Sequence, residues 1–406
     1  MPILDPSRTP RAAAGLLAAL ALAVAVAACG GGGSAETAAA GTSAVTPTAF
    51  TQGTITGLGS IVVNGVRFDE SSASVTDDGG TLRTAQSLRL GMRVEVDHAS
   101  VDASASTARA AAVRYGSLVL GPVASVDAGA NTVTVLGQVV DITTSTVFSD
   151  TLAAGLSAVV AGAVIEVHGL ADAATGHIVA TRVEAASSAA AYKLRGTVAG
   201  LDTTAKTFNI GGAAISYSAL ASSAVPTTLA DGAVLRVVLA TAPSGGLWVA
   251  SSLGVKGSRA DHANGLGGHV RGKITAFTSA THFTVDSVVV DASAATFPDG
   301  STGLALGVEV DVRGAVTNGV LVATQVSLEG RHGGDDSRKW HLFGAITAAD
   351  ASAKTFVVRG VTATYSDATT YVGGTVADLL VGRKVHVKGA VGSTRTQVQA
   401  SVVTFQ

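Results

Sequence analysis

Residues that could bind a metal ion or transfer a proton are few in this sequence and widely spaced. The chain has nine histidines and one cysteine in 406 residues. Two segments combine His with Asp and could offer nitrogen and oxygen ligands, Asp261-His262 and His332 with Asp335-Asp336. No two histidines have the helical or strand spacing that holds ligands ready, and loops must be ordered before they bind. We therefore predict solvated linkers and no metal site.

The other histidines and acidic residues also indicate no chemistry. Three further histidines lie near those segments: His269, His282 and His341. The last three stand alone on strands or turns and are expected to face solvent: His168, His177 and His386. Asp77-Asp78 precede two glycines, which is typical of a surface turn. Nucleophile-elbow, Walker and zinc-helix motifs are absent, and Gly57-x-Gly59 leads into a strand rather than a helix. The sequence predicts no catalytic residue, no cofactor and no enzymatic activity.

Cys29 is the residue whose position indicates a specific reaction. It follows two basic residues, Arg8 and Arg11, and an apolar run from Ala12 to Ala28. A basic start, an apolar stretch and small residues before a cleavage point are typical of an export signal, so we predict a signal peptide over residues 1–28. A plain signal peptide or a short membrane helix stays open as an alternative, because about 17 apolar residues can just span a bilayer.

The run Val26-Ala27-Ala28-Cys29 resembles the lipobox of bacterial lipoproteins, in which a branched apolar and two small residues precede the cysteine. The resemblance implies that Cys29 becomes the mature N-terminus and carries a thioether diacylglycerol and an N-acyl chain such as palmitate, enough for stable anchoring. Gly30, where inner-membrane lipoproteins carry Asp, implies the outer membrane, on its periplasmic or its surface face. The Gly-, Ser- and Ala-rich residues 29–51 are then a flexible tether.

The remainder of the chain repeats one pattern five times. Each unit opens with a Gly two residues before Ile or Val, at Gly53, Gly121, Gly196, Gly272 and Gly344. A second landmark, Gly-x-x-apolar-x-Val, begins at Gly91, Gly162, Gly232, Gly307 and Gly382. Each unit closes with a small residue three positions before an apolar one, at Ala110, Ala180, Ala250, Ala323 and Ala400. The fixed order of three landmarks establishes an internal repeat.

Each unit is a series of short β-strands. Apolar residues alternate from Ser60 to Asp69 on both sides of Asn64-Gly65, the pair favoured by a type I′ hairpin turn. Phe208, Phe283 and Phe356 occupy equivalent hairpin positions and are expected to fill the interior. An opening strand, a hairpin, the landmark strand and a closing strand give about five strands, which suits a small closed barrel of the OB type. Small β-sandwiches or one continuous solenoid are the alternatives.

We therefore predict an all-β fold of five tandem OB-like barrels, which follow the signal peptide and the tether. The predicted modules span residues 52–115, 116–186, 192–257, 268–330 and 340–406. Two polar segments, 258–267 and 331–339, are rich in Gly, His and charged residues, which is typical of exposed linkers. We expect five beads with two flexible joints.

The segment from Gly57 to Phe68 matches the pattern G-x-G-S-I-x-V-N-G-V-x-F. This resembles the domain-of-unknown-function family numbered 5666, which occurs in tandem in lipoproteins of Gram-negative bacteria. The first unit also shares the later run from Leu90 to Val96, whereas the other units keep only the Gly and Val framework. The family brings no established activity, substrate or site residue, so the resemblance implies none.

Composition excludes several functional classes. A net charge of −2 provides no basic surface for nucleic acid, and one cysteine excludes a disulfide scaffold. Because the five units share framework residues but no polar constellation, we predict a non-enzymatic, lipid-anchored envelope protein whose modules are a structural spacer or an interaction surface. The alternative is a ligand-binding envelope lipoprotein that uses a repeated module face for a glycan or a partner protein.

Overall fold

The computed structural model describes residues 45–187, 189–255, 263–329, 339–392 and 394–406. Cys29, the predicted signal peptide, most of the tether, His262 and His332 lie outside these ranges. Within them the regular structure consists of β-strands and short 3-10 turns, as the predicted all-β class requires. No helix in the described part of the chain is long and apolar enough to cross a membrane.

The strands fall into five groups that follow the sequence repeat. Module 1 contains β1 Ala49–Leu58, β2 Ile61–Val63, β3 Val66–Asp69, β4 Ser74–Asp77, β5 Leu82–Arg83, β6 Arg93–His98 and β7 Thr107–Tyr115. Module 2 contains β8 Val119–Asp127, β9 Thr132–Val135, β10 Gln138–Phe148, β11 Val164–Asp172 and β12 His177–Ala185. Module 3 contains β13 Tyr192–Asp202, β14 Thr207–Ile210, β15 Ala213–Ser216, β16 Val234–Leu239 and β17 Trp248–Val255.

The last two modules repeat the same series. Module 4 contains β18 Gly267–Ser279, β19 His282–Val285, β20 Val288–Asp291, β21 Glu309–Thr317 and β22 Val320–Leu328. Module 5 contains β23 Trp340–Asp350, β24 Thr355–Val358, β25 Val361–Thr364, β26 Thr370–Val372, β27 Lys384–Val391 and β28 Val398–Phe405.

Each group closes into a barrel by one pairing order. In module 2, β8 pairs with β9 and β9 with β10, both antiparallel, while β10 runs parallel to β12. Strand β12 then pairs with β11, and β11 returns to β8. The same order closes the other four described modules, whose first strands are β1, β13, β18 and β23. The predicted tandem five-stranded barrels are confirmed, and closure satisfies the strand edges within each module.

The hairpin of a unit packs against the opening glycine of the same unit. Asn64 and Gly65 have φ of 50° and 78°, the positive values of a type I′ turn. This turn folds back over the first strand, where a Cβ on Gly53 would lie 2.0 Å from Asn64 Oδ1. In module 4 a Cβ on Gly272 would lie 2.9 Å from Asp286 Oδ2. In modules 1, 2 and 4 the opening landmark is therefore glycine because the turn residue of the hairpin occupies the space of a side chain.

The second landmark glycine begins the fourth barrel strand. Gly91 has φ of 85° and donates its N–H to the carbonyl of Ile55, while the N–H of Ile55 bonds to the carbonyl of Met92. The corresponding glycines of the other modules have φ between 79° and 92° and donate to the first strand in the same way. This reciprocal pair of hydrogen bonds ties the entry of the fourth strand to the middle of the first.

The modules are joined to one another by strand pairing, so the expectation of independent beads is wrong. Strand β1 runs parallel to β18 of module 4 and to β23 of module 5, and β8 pairs with β13. One apolar core spans modules 1 and 5, another spans modules 2 and 3, and Phe50 of module 1 lies in the core of module 4. Residues 43–406 accordingly form one compact unit. Phe208, Phe283 and Phe356 are buried in these cores, as predicted.

Candidate functional site

Modules 1 to 4 line a cavity of about 440 Å³ with both charged and apolar groups, and we call it the inter-module cavity. Four arginines line it, Arg93, Arg114, Arg195 and Arg236. Four carboxylates line it as well, Asp77, Asp78, Glu95 and Asp286. Its volume lies within the range of about 300–1,000 Å³ that is usual for small-molecule sites.

Two barrel faces contribute charged groups to the cavity. Side chains alternate along a strand, so the residue between the two apolar positions of the second landmark points out of its barrel. In module 1 this residue is Glu95, which lies between Gln52 on β1 and Arg114 on β7. In module 3 the equivalent Arg236 lies between Arg195 on β13 and Gly254 on β17. The repeat thus presents a charged row from each of two modules to the same cavity.

Hydrogen bonds and ion pairs between modules hold the walls together. Arg93 Nη2 lies 2.5 Å from Asp286 Oδ2, and both side chains are about nine-tenths buried. Gln52 Nε2 donates to the same Asp286 oxygen at 2.9 Å. Lys193 Nζ of module 3 donates to Asp78 Oδ1 of module 1 at 3.1 Å. These contacts link modules 1, 3 and 4 around the cavity, since each one crosses a module boundary.

The predicted turn at Asp77-Asp78 is confirmed, and the structure adds that both aspartates line the inter-module cavity. Asp77 does accept the backbone N–H groups of Gly79 and Thr81, as a turn residue would. Its side chain is nevertheless only 10% exposed and faces the cavity. Burial alone would raise the pKa of Asp77, but hydrogen bonds from Arg83, Thr81 and Gly79 outweigh it and lower the pKa. The carboxylate is therefore charged at neutral pH.

A part of the wall offers unused hydrogen-bonding capacity. Ser117 is buried, lines the cavity, and its Oγ has no hydrogen-bond partner among the described residues. Val94, Leu118 and Val234 supply apolar surface beside it, together with the ring of Tyr115. Buried polar atoms are normally satisfied, so the Ser117 hydroxyl is an exception among the described residues. The mixture of guanidinium, carboxylate, hydroxyl and apolar groups suits a small ligand with both donors and acceptors.

The predicted structural residues lie in the barrel frameworks. Asn64 is buried and donates from Nδ2 to the carbonyl of Gln52 at 2.8 Å, so it braces the hairpin against the first strand. The landmark glycines begin the fourth strands and do not line the inter-module cavity: Gly91, Gly162, Gly232, Gly307 and Gly382. The cavity residues escaped sequence analysis because no unit carries them all. Their one signal is the outward position inside the second landmark.

Two expectations for isolated, solvent-facing histidines are wrong. His168 is only 1% exposed, its Nδ1 lies 3.1 Å from the carbonyl oxygen of Gly116, and burial lowers its pKa. His386 is stacked on Phe343 with ring centroids 4.0 Å apart, and its Nε2 lies 3.0 Å from Nδ1 of His341. His177 is partly exposed and pairs with Asp141 at 2.9 Å. The rings of His168 and His386 are fixed by contacts that cross strands, which a linear pattern does not reveal.

The fold and the repeat define a tandem array of OB-like five-stranded barrels. A family described as "Domain of unknown function (DUF5666)" matches residues 52–109, 121–184, 271–327 and 343–404. These four matches cover more than half of the chain, so the protein belongs to the DUF5666 family. They fall on modules 1, 2, 4 and 5, while module 3 closes by the same strand order without a match.

One solved structure, described as "drosophila Unr CSD456", is similar to this chain at 13% sequence identity. The alignment covers 54% of this chain and 98% of that one, with a TM-score of 0.14. A comparison with curated proteins finds no match.

Proposed function

We propose that this protein is a non-enzymatic, lipid-anchored binding protein of the cell envelope that holds a small polar ligand in the inter-module cavity. The observation that carries this proposal is a cavity of about 440 Å³ whose walls come from four modules and combine four arginines with four carboxylates. Packing of the modules around a common space favours a receptor over a spacer.

The chemistry of the walls favours a fragment of an envelope glycan. Sugar hydroxyl and acetamido groups both donate and accept hydrogen bonds, so they can meet carboxylates and guanidinium groups at once. The side chain of Tyr115 and the apolar residues beside Ser117 would contact the less polar parts of a sugar ring. With a chain net charge of −2, nothing favours nucleic acid as the partner.

Cavity filling provides a test of ligand binding. A Cβ on Gly254 meets nothing closer than 3.7 Å, so Gly254→Leu should extend into the cavity beside Arg236 without disturbing the barrel. Ser252→Leu is the matched control, because Ser252 is exposed two residues earlier on the same strand. With a cell-wall disaccharide of N-acetylglucosamine and N-acetylmuramic acid as probe, calorimetry should show binding by the wild type and the control only. Equal binding by Gly254→Leu would contradict the cavity as the site.

The membrane anchor is tested separately. Metabolic labelling with an alkyne fatty acid should mark the wild-type protein and leave Cys29→Ala unlabelled, because the proposal places the acyl chains at the Cys29 thiol and at the amine it exposes. Cell fractionation should then find the wild type in the outer membrane. Equal labelling of both proteins would exclude Cys29 as the lipidated residue without affecting the cavity proposal.

A further inference from the structure

Three potential metal ligands meet on the outer face of module 2, and one of them, Glu166, holds the outward position inside the second landmark. Glu166 and His168 lie two residues apart on β11, and Glu184 lies on the paired strand β12. One ring nitrogen of His168 and one carboxylate oxygen of each glutamate are within 4.8 Å of one another. We propose that Glu166, His168 and Glu184 bind a divalent first-row transition metal ion, with zinc as the reference ion.

The pairing of the two glutamates points to a bound cation. Glu166 lies directly opposite Glu184 in the antiparallel ladder. Like charges directly opposite one another destabilise a β-sheet unless a cation lies between them. Module 1 shows the usual solution at the same two positions, where Glu95 faces Arg114 and the two groups lie 2.9 Å apart. In module 2 the arginine of that pair is replaced by Glu184, which is paired with Arg182 on its own strand, and a metal ion would supply positive charge between Glu184 and Glu166.

His168 is oriented as a ligand. Its side chain is 1% exposed, and Nδ1 lies 3.1 Å from the carbonyl of Gly116. Because a carbonyl oxygen only accepts, Nδ1 carries the proton, and the neutral ring keeps its lone pair on Nε2. Nε2 is buried and has no hydrogen-bond partner among the described residues. Metal-binding histidines commonly donate their second ring N–H to a carbonyl in this manner, which fixes the tautomer and the ring.

Arg182 pairs with one of the two glutamates of the cluster, Glu184. Its Nη2 lies 2.6 Å from Glu184 Oε1, and its Nη1 donates to the carbonyl of Leu90 in module 1. The arginine thereby fixes the Glu184 carboxylate and leaves Oε2 for a metal ion. Glu166 makes no side-chain hydrogen bond or ion pair to any described residue. The nearest guanidinium to the two carboxylates is that of Arg182, and Arg83 interacts with Glu166 only at longer range, so a cation between Glu166 and Glu184 would meet two carboxylates directly.

The same three positions in the other modules do not form a ligand set. Module 1 has Glu95, Asp97 and Arg114 there, and module 3 has Arg236, Val238 and Gly254. Module 4 has Asp311, Arg313 and Ser327, and module 5 has His386, Lys388 and Thr404. Each of these sets contains a basic or non-ligating residue. One imidazole and two carboxylates suit zinc and related divalent ions, and three protein ligands leave the coordination shell open to water or a ligand.

Zinc titration of the untagged full chain in detergent tests the proposal. Calorimetry should show one high-affinity zinc per chain, weakened about tenfold or more by Glu166→Gln or by Glu184→Gln. His177→Gln is the matched control, because His177 also lies beside a carboxylate in module 2, and the double change His262→Gln and His332→Gln controls for the linkers. None of the control changes should alter the affinity.

A stability measurement separates a lost ligand from a damaged fold. Since Glu166→Gln removes like-charge repulsion, the metal-free variant should melt at or above the temperature of the metal-free wild type. Adding zinc should stabilise the wild type and the control variants, and it should stabilise Glu166→Gln and Glu184→Gln less at the same zinc concentration. The proposal is overturned if the wild type binds no zinc, if both glutamine variants bind as tightly as the wild type, or if a control change abolishes binding.

Discussion

Single residues fix the geometry of every barrel, and their requirements were visible as landmarks in the sequence. Glycine recurs where the hairpin crosses the first strand and where the fourth strand begins. The first place has no room for a Cβ in modules 1 to 4, and the second has positive φ in all five modules. Asn64 adds a side-chain hydrogen bond to the first strand. At this scale the sequence predicted the hairpin turn because the turn depends on neighbouring residues alone.

Replacing the second residue of that turn should destabilise module 1. Gly65 has φ of 78°, which a β-branched residue adopts only with strain, so Gly65→Val should cost about 1 kcal/mol or more. Gly129→Val is the control, since Gly129 is an exposed loop glycine outside the positive-φ set. Chemical denaturation monitored by hydrogen exchange of β2 and β3 would measure the difference. Equal protection of the two variants would rule out the type I′ requirement at this turn.

Elements carry the contacts that join one module to the next. The hairpin turn of module 4 presents Asp286 to Arg93 and Gln52 of module 1, while the same turn in module 1 presents Asn64 to its own first strand. The same turn position therefore makes a contact within its own barrel in module 1 and a contact with a neighbouring barrel in module 4. Sequence analysis found the turn but not its partner, because the partner lies more than 190 residues away.

The docking contact should be worth more than an exposed ion pair of similar length. Asp286→Asn keeps a residue that tolerates positive φ but removes the charge facing the nearly buried Arg93, and should cost about 1.5–3 kcal/mol. Asp367→Asn is the control, because Asp367 is 99% exposed beside Lys354 and should change stability by less than about 1 kcal/mol. Unfolding midpoints in urea give both values. Similar losses would mean that Arg93 finds another partner.

The whole molecule is coupled by cores that cross module boundaries. Phe356 lies in the core that spans modules 1 and 5, Phe208 in that of modules 2 and 3, and Phe283 in that of module 4 with Phe50. An array of this kind should not unfold one module at a time, since removing one barrel exposes apolar surface of another. The three phenylalanines occupy equivalent hairpins and therefore allow a matched comparison.

Truncating these rings should reveal which modules are coupled. Phe356→Ala should cost about 3–5 kcal/mol and lower hydrogen-exchange protection in both module 5 and module 1. Phe283→Ala should act mainly on module 4 and on the β1 segment that carries Phe50. Loss of protection confined to the mutated module in both variants would show that the barrels are independent after all.

A protease should cleave the chain first in the two predicted linkers. Residues 258–267 and 331–339 are rich in Gly, His and charged residues and poor in apolar ones, whereas the barrels are closed and packed. Limited trypsin digestion is expected to cut in these two segments before any barrel strand. Early cleavage within β1 or β18 instead would indicate that the pairing between modules 1 and 4 opens readily.

The sequence by itself determined the repeat, the five-stranded modules and their turns, because each depends on residues within one unit: alternating apolar positions, glycines at fixed places and an Asn-Gly pair. Only the tertiary structure decided which modules share cores and which side chains face the inter-module cavity. The same holds for the opposition of Glu166 and Glu184, since cross-strand register has no signature in linear spacing. Pairing between barrels uses backbone groups common to all residues, so composition could not reveal it.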